Sequence, residues 1–334
     1  MKNTYSHISR PRSATVLTVG LALVILAPTA VQSETLEQLQ SMFNNTVGSR
    51  VEALTIFGGD YGLSGGSFHS FRSPDGKTEI SLNKFGGAGD IGDPKPIGET
   101  GIGFQPRLQG SMGYAETKKV FTSGDLRGDV NKYDTFAIQF GGGGRFWFND
   151  HLSLAPTLMG MYGHTKNNYT ANNPDSIAIA PEANRTGLIN WNANTWTVRP
   201  AVDVQYVFTW HRTIFTLSSD FTYYHTESFQ SSTSLLKING DSEVVQNMLD
   251  VDIPLGKMLW GHELRTGGFV SRQQFFDCLK SGTGTDHLYE VHPRLVLDFL
   301  GELWKVQWIG IGYSYMWGGP INGWSIGADI AFRF

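Results

Sequence analysis

The sequence predicts an all-β chain: an antiparallel transmembrane β-barrel of about 12 strands with a short N-terminal helix. Three observations predict it. Apolar and polar residues alternate with period 2 through one stretch after another, the period of a strand with a different solvent on each face. The links between these stretches alternate between short and long, as in barrels with tight turns at one end and loops at the other. The chain also opens on an export signal. Composition fits: 40 glycines, 13% aromatic and 40% hydrophobic residues with a mean hydropathy of -0.20 do not describe a helical membrane protein, yet suit a sheet that is apolar on one face only.

Residues 1–33 read as a signal peptide. Lys2, Arg10 and Arg12 precede the apolar run "VLTVGLALVILA", and "PTAVQS" follows with small residues suited to cleavage after Ala30 or Ser33. The run is shorter than the roughly 20 residues a spanning helix needs. Its removal takes away three positive charges and no negative one, so the net charge falls from -4 to -7. A mildly acidic chain is a poor nucleic-acid binder, and no nucleic-acid partner is expected. Cys278 is the single cysteine, so no internal disulfide staples the fold.

Residues 34–50, "ETLEQLQSMFNNTVGSR", form the convincing helix. Leu36, Leu39, Phe43 and Val47 fall close to one face, with Glu34, Glu37 and Gln38 off it. Residues 51–334 then read as the barrel, with no composition break or linker inside. Two less regular strands are expected within 51–84. The next is the clearest: in "GIGFQPRLQGSMGY", Ile102, Phe104, Pro106, Leu108, Met112 and Tyr114 oppose Gln105, Arg107, Gln109 and Ser111. Comparable strands follow near 133–148 and 151–164. In "WTVRPAVDVQYVFTW", Trp196, Val198, Pro200, Val202, Val204, Tyr206 and Phe208 oppose Arg199, Asp203 and Gln205. Strands near 212–226, 243–254 and 258–273 lead to "YEVHPRLVLDF", where Tyr289, Val291, Pro293, Leu295, Leu297 and Phe299 oppose Glu290, His292, Arg294 and Asp298. Strands near 305–317 and 322–334 finish the chain.

Charge obeys the same phase. Across the ten better strands the polar phase holds Arg107, Arg145, Arg199, Asp203, Asp220, Asp250, Asp252, Glu263, Arg265, Glu290, Arg294, Asp298, Asp329 and Arg333, and the central apolar phase holds none. An Arg or Lys facing lipid at mid-depth costs about 2–4 kcal/mol, so a hydrocarbon solvent imposes this segregation. These charges are expected to face the lumen, and their mixed sign suggests cross-lumen salt bridges more than a selectivity surface. Short links are expected at Asn149–Asp150, Trp210–Arg212, Pro254–Met258 and Leu300–Trp304, and long ones near 117–132, 165–194, 227–242 and 273–287. Aromatics end the apolar phase at Trp196, Phe208, Tyr313, Tyr315, Trp317, Trp324 and Phe334, like interfacial girdles. Pro106, Pro156, Pro200 and Pro293 recur in the apolar phase, and are expected near bulges or water-accessible ends because proline removes a ladder hydrogen bond.

The ending "SIGADIAFRF" carries a resemblance. Trp324, Ile326, Ala328, Ile330, Phe332 and Phe334 share one phase and finish on an aromatic, which resembles the assembly signal that outer-membrane barrels present to the barrel-insertion machinery. With the "PRL"-like strands, the strand number and the helical prelude, residues 51–334 resemble the translocator β-domain of autotransporters, here solitary and without a long passenger. The resemblance implies the outer membrane of a Gram-negative bacterium, contact with outer-membrane lipid and the insertion machinery, a monomer, and a helix that occupies the pore; because its apolar stripe fits a polar lumen imperfectly, a periplasmic or partner-bound helix is the alternative. It implies a non-catalytic scaffold or translocator without cofactor. A small porin-like diffusion channel is the alternative.

Enzymatic readings carry less. His151 and Ser153 in "DHLSL" share a face, as a phospholipase pair would, but in the phase that points to the lumen rather than to lipid. His225 with Glu227, and His262 with Glu263, lack metal-ligand spacing. Omptin-like proteolysis needs acidic and His residues converging at the loop rim, which spacing does not show. "GGGG" (141–144) lies within a strand, where it permits sharp curvature or close packing of a helix, and "FGGAG" (85–89) lies in a turn without the ending of a phosphate loop. "NNT", "NYT" and "NRT" match glycosylation acceptors that a bacterial envelope protein leaves unmodified.

Overall fold

The computed structural model describes residues 41, 43–60, 62–63, 67–73, 76–303, 306–319 and 321–332. The proposed signal and the first residues of the expected helix fall outside them. A π-helical turn, Asn44–Gly48, runs into α1 (Ser49–Gly59). Thirteen strands follow: β1 (Ser67–Ser73), β2 (Gly76–Asp90), the two-residue β3 (Lys95–Pro96), β4 (Gly103–Phe121), β5 (Val130–Trp147), β6 (Leu152–Thr170), β7 (Asn192–Trp210), β8 (Thr213–Ser231), β9 (Asn239–Leu259), β10 (His262–Phe275), β11 (His287–Leu303), β12 (Val306–Gly318) and β13 (Ile321–Phe332). Setting β3 aside, twelve antiparallel strands pair with their sequence neighbours, and β1 meets β13 to close the ring. Two further helices sit in loops: α2 (Pro174–Arg185) and α3 (Asp277–Thr283).

Residues 51–59 are helical, where the sequence led us to expect an irregular strand. The reason is burial: every residue from Val51 to Asp60 is buried, so "VEALTIFGG" carries no amphipathic stripe for a periodicity argument to find. The barrel wall therefore begins at Ser67 rather than at residue 51. The link expected at Pro254–Met258 is also corrected. Those residues form a bulge within β9, where the register jumps from Lys257↔Leu264 to Pro254↔Arg265, and Gly256 takes φ +64. The turn itself is Trp260–Gly261. Three of the four prolines need no bulge either: the registers on both sides of Pro156, Pro200 and Pro293 are continuous, each proline merely interrupting one ladder, while Pro106 stands near the turn-end start of β4.

Four long connections (122–129, 171–191, 232–238, 276–286) lie at one end, here the loop end, while the link 91–102 that carries β3 lies at the other. The tight turns 148–151, 211–212 and 260–261 lie there too, at the turn end. The strands of β4 to β9 run 18 to 21 residues, well beyond the expected spans, and the added residues lie mostly at the loop end. There the outward face changes character. Below lies an exposed apolar band including Leu108, Phe140, Leu158 and Leu217; Tyr114, Phe136, Tyr162 and Trp196 ring it; above them stand Glu116, Lys132, Asp134, His225 and Asp241. The loops are tied down. Asp129 accepts hydrogen bonds from Tyr169 Oη (2.5 Å), the N–H groups of Asn172 (2.7 Å) and Asn173 (2.9 Å), and Ser176 Oγ (2.9 Å), which seats α2. Burial pushes this carboxyl up, and the four donors together hold it below its ordinary value.

Candidate functional site

The one hydrophobic cluster of the described chain lies inside the loop-end half of the barrel, around α1. Val47, Val51, Leu54, Ile56 and Phe57 meet Tyr133, Trp191, Tyr224, Val244, Phe275, Leu279 and Leu288 from the wall and loops. The wall is thinned to admit the helix. Ala115 and Ala137 face Gly58, and a side chain at Gly113 would collide with the Gly58 carbonyl, one at Gly163 with Thr55. Residues 141–144 serve a different contact: side chains there would strike the neighbouring strands and Phe104, so the run permits close strand approach below the helix.

Polar anchors fix α1 at both ends. At the loop end the N–H of Lys237 donates to Asn44 Oδ1 (2.8 Å), and Phe43 meets Trp191 edge-on at 6.5 Å. One turn further, Ser242 Oγ donates to Glu52 Oε1 (2.6 Å) and accepts from the Leu279 N–H (3.0 Å), so a β9 side chain couples α1 to α3. Burial pushes the Glu52 carboxyl up to about 7; this group lies at the loop mouth, above the membrane-spanning part of the strands. At the inner end the helix stops at Asp60, whose carboxylate is the lock. Arg199 Nε lies 2.5 Å from Asp60 Oδ2, Tyr224 Oη donates to the same oxygen (2.5 Å), and the Gly62 N–H donates to Oδ1 (2.8 Å). Asp60 and Tyr224 are fully buried and Arg199 is 5% exposed. Lys84 Nζ donates to the carbonyls of Asp60 (2.8 Å) and Leu63, and Ser111 Oγ to that of Gly59.

Below this lock the lumen changes from apolar to charged and holds a cavity of about 570 Å³, lined by Lys84, Arg107, Arg199, Asp203, Asp220 and His292 among others. Most of the charges assigned to the lumen by phase find partners along the wall, on the same, adjacent or next-but-one strand, rather than across the lumen. Arg107 bonds Asp90 (2.7 Å); Arg145 bonds Asp90 (3.0 Å), Gln205 (2.6 Å) and Ser153 (2.8 Å) and lies 3.5 Å from Asp203. Arg265 joins Asp252 (2.9 Å) and Asp298 (3.1 Å), and Arg294 joins Asp250 (2.8 Å). Asp220 accepts from Thr222 Oγ1 (2.5 Å), and Glu290 from Ser314 Oγ (2.6 Å). Glu263 instead bonds Arg212 at the turn end (2.8 Å). Of the ending, Trp324, Ile326 and Ala328 are exposed on the outward face, and Ile330 and Phe332 continue β13. The side chain of Asp329 and residues Arg333 and Phe334 lie outside the described residues. A sheet of this architecture, closed around a helix that enters from the loop end, narrows the comparison with known proteins. The family model for the solitary outer membrane autotransporter beta-barrel domain matches residues 97–327.

The chain belongs to this family.

The solitary autotransporter barrel also has structural likenesses at the level of fold. The transport unit of the autotransporter AIDA-I from Escherichia coli aligns with a TM-score of 0.55 at 12% identity, over 87% of this chain and 99% of that one. The beta domain of the Bordetella autotransporter BrkA aligns at 0.51 and 13%, over 81% and 100%. No protein of curated function matches the sequence. Within this barrel the residues weighed for catalysis are dispersed. His151 Nδ1 lies 2.9 Å from the Val207 carbonyl at the turn end, while buried Ser153 accepts from Arg145. His225 faces outward between Asp241 (2.8 Å) and Glu227 (3.3 Å), and the His262 ring meets Phe299 at a 50° tilt. Among the described residues no cluster of His, Cys, Asp or Glu has the makings of a metal site. Sequence reasoning missed Glu52, Asp60, Asp90 and Tyr224. The first two sit on the unstriped helix and at its end, and Asp90 ends a strand whose alternation its glycines blur. Tyr224 stands in the polar phase, a signal that a ring there fills the lumen.

Proposed function

We propose that the chain is an outer-membrane barrel of translocator type that its own N-terminal helix keeps shut, a non-catalytic scaffold holding its loops on the outer side. The observation that carries this is α1, buried on every face inside the lumen and locked by Asp60 to Arg199. Residues 1–33 then act as the export signal, the loop end lies outside a Gram-negative cell, and the barrel sits as a monomer in outer-membrane lipid. Trp324 to Phe334 act as the assembly signal for the insertion machinery, since any N–H or C=O left unpaired in hydrocarbon costs several kcal/mol and the last strand must stay in register until it closes. The test is bilayer conductance of the purified mature chain against a deletion of 34–59. A deletion of 34–50 alone leaves the nine residues Val51–Gly59 to fill the lumen. Low conductance that rises on the longer deletion supports the plug; equal, porin-like conductance from both supports the diffusion channel.

A further inference from the structure

The strand that closes the ring is short. β1 pairs with β13 from Ser70↔Ile321 to Ser67↔Trp324, and with β2 from Ser73↔Gly76 to Ser67↔Ser81. Its neighbours continue toward the turn end, β13 to Phe332 and β2 to Asp90. Leu63 is already inside the lumen, buried, its carbonyl held by Lys84. Carried on from Ser67, the register sets Phe85 level with Ala328, Gly87 with Ile330 and Gly89 with Phe332. Over this length, among the described residues, β2 pairs only with β4 and β13 only with β12. Among the described residues no pair links the two edges here, and Phe85 on the outward face is 72% exposed. The lumen cavity reaches this gap, with Asn83 and Lys84 on one side and Ser325, Ile326 and Gly327 on the other.

We propose that this seam is a strand-acceptor site, taking one extended segment of an exported polypeptide between β2 and β13 as the missing length of strand. The proposal rests on the membrane-barrel reading above. Two backbone edges facing hydrocarbon leave N–H and C=O groups that lipid tails cannot satisfy, whereas an added strand pairs both rows at once. Direction selects the occupant. β2 and β13 both run toward the turn end, so they cannot close on each other as an antiparallel pair, and a second copy in the same membrane brings edges that run the same way. A segment running from the turn end toward the loop end is antiparallel to both, as β1 is above it. The register then specifies its chemistry: at least five residues, apolar opposite Phe85/Ala328 on the lipid side, and small or polar at the alternate positions that face the lumen.

The test uses the full mature chain folded in lipid vesicles with Cys278→Ser, Gly87→Cys and Ile330→Cys, checked first for heat-modifiable migration; loss of that migration fails the barrel reading rather than the seam. The probe is a synthetic peptide copying Val306–Tyr315, which alternates in the required way, with a cysteine replacing the residue at 311, and a scrambled peptide as control. Under mild oxidation we expect little disulfide between the two thiols introduced across the seam, and at least ten-fold more mixed disulfide with the alternating peptide than with the scrambled one. Efficient cross-linking of the two introduced thiols to each other means that the edges meet directly and overturns the proposal. Equal capture of both peptides overturns it as well. Quenching of a fluorophore on the thiol introduced at position 87 by brominated lipid tails, if the alternating peptide does not relieve it, assigns the seam to lipid and is equally against it.

Discussion

Replacing Asp60 with Ala should unlock the helix. The substitution takes from the buried Arg199 guanidinium the carboxylate it touches, leaving Asp220 as its remaining acidic neighbour, and takes an acceptor from Tyr224 Oη. Removing one partner of a buried ion pair costs about 3–5 kcal/mol, because the stranded charge cannot rehydrate in place. The helix can relieve that cost only by leaving, so the full penalty falls on the docked state. At about 1.4 kcal/mol per tenfold, the undocked fraction rises by roughly two to three and a half orders of magnitude. The assay is the frequency of open events in planar bilayers, with proteolytic protection of residues 49–59 measured on the same preparation and heat-modifiable migration confirming a folded barrel. Asp60→Ala with Arg199→Met is the control: removing both charges together is often close to neutral, so opening should fall back toward wild type. Asp60→Ala with wild-type conductance and wild-type protection would refute the lock, as would a double variant that opens as often as the single one.

Docking should also depend on pH through Glu52. Its carboxyl is raised from the ordinary 4.5 to about 7, so the docked state holds the proton more tightly; docking is firmest in acid, weakens as pH rises from about 4.5 to about 7, and is level above. Opening counted at pH 5 and 8 should differ for wild type and not for Glu52→Gln. Gly163→Val places a side chain against Thr55, where a Cβ alone comes within 2.6 Å, and should destabilise docking by about 1–3 kcal/mol, read as a rise in opening without loss of folded barrel. Leu158→Arg on the outward face, where Leu158 is 59% exposed, should cost about 2–4 kcal/mol in urea unfolding from bilayers, whereas Leu158→Met should be near neutral. Deleting Phe334 should lower the amount of heat-modifiable protein in outer-membrane fractions at matched expression far more than Ser325→Ala; equal assembly would make the ending an ordinary strand.

The wall was legible because a membrane barrel writes its environment into alternate residues. Leu154 and Leu158 go out, Ser153 and Thr157 go in, and the parity runs unbroken through Pro156. Strand ends were less legible: once a strand clears the hydrocarbon, outward positions such as Glu116, Asp134 and His225 turn polar and alternation stops marking the wall. The plug was half legible. Phe43 and Val47 pack toward the core as the amphipathic stripe implied, but Val51–Gly59 is surrounded on all sides, and a helix without a wet face has no period to read. The pairing of the charged polar phase was not legible, since Arg145 reaches Asp90 and Gln205 each past one intervening strand.

The division of the lumen into an apolar collar and a charged cavity decides where an electrical potential would fall. Strands of 19 residues rise about 65 Å along their length and roughly 45–50 Å along the barrel axis at the usual tilt, against an apolar band of about 25 Å. The helix contacts Ala115, Ala137 and Gly163, level with the aromatic ring that tops that band, so it stoppers the neck rather than the depth of the bilayer. A charged lumen admits ions more readily than packed side chains do, so an applied voltage is expected to fall mainly across α1. Each unit charge crossing that field is worth about 2.3 kcal/mol per 100 mV, comparable with a single hydrogen bond to a charged group. A barrel built this way concentrates the field on a helix with two acidic groups, Glu52 within its first turn and Asp60 at its inner end.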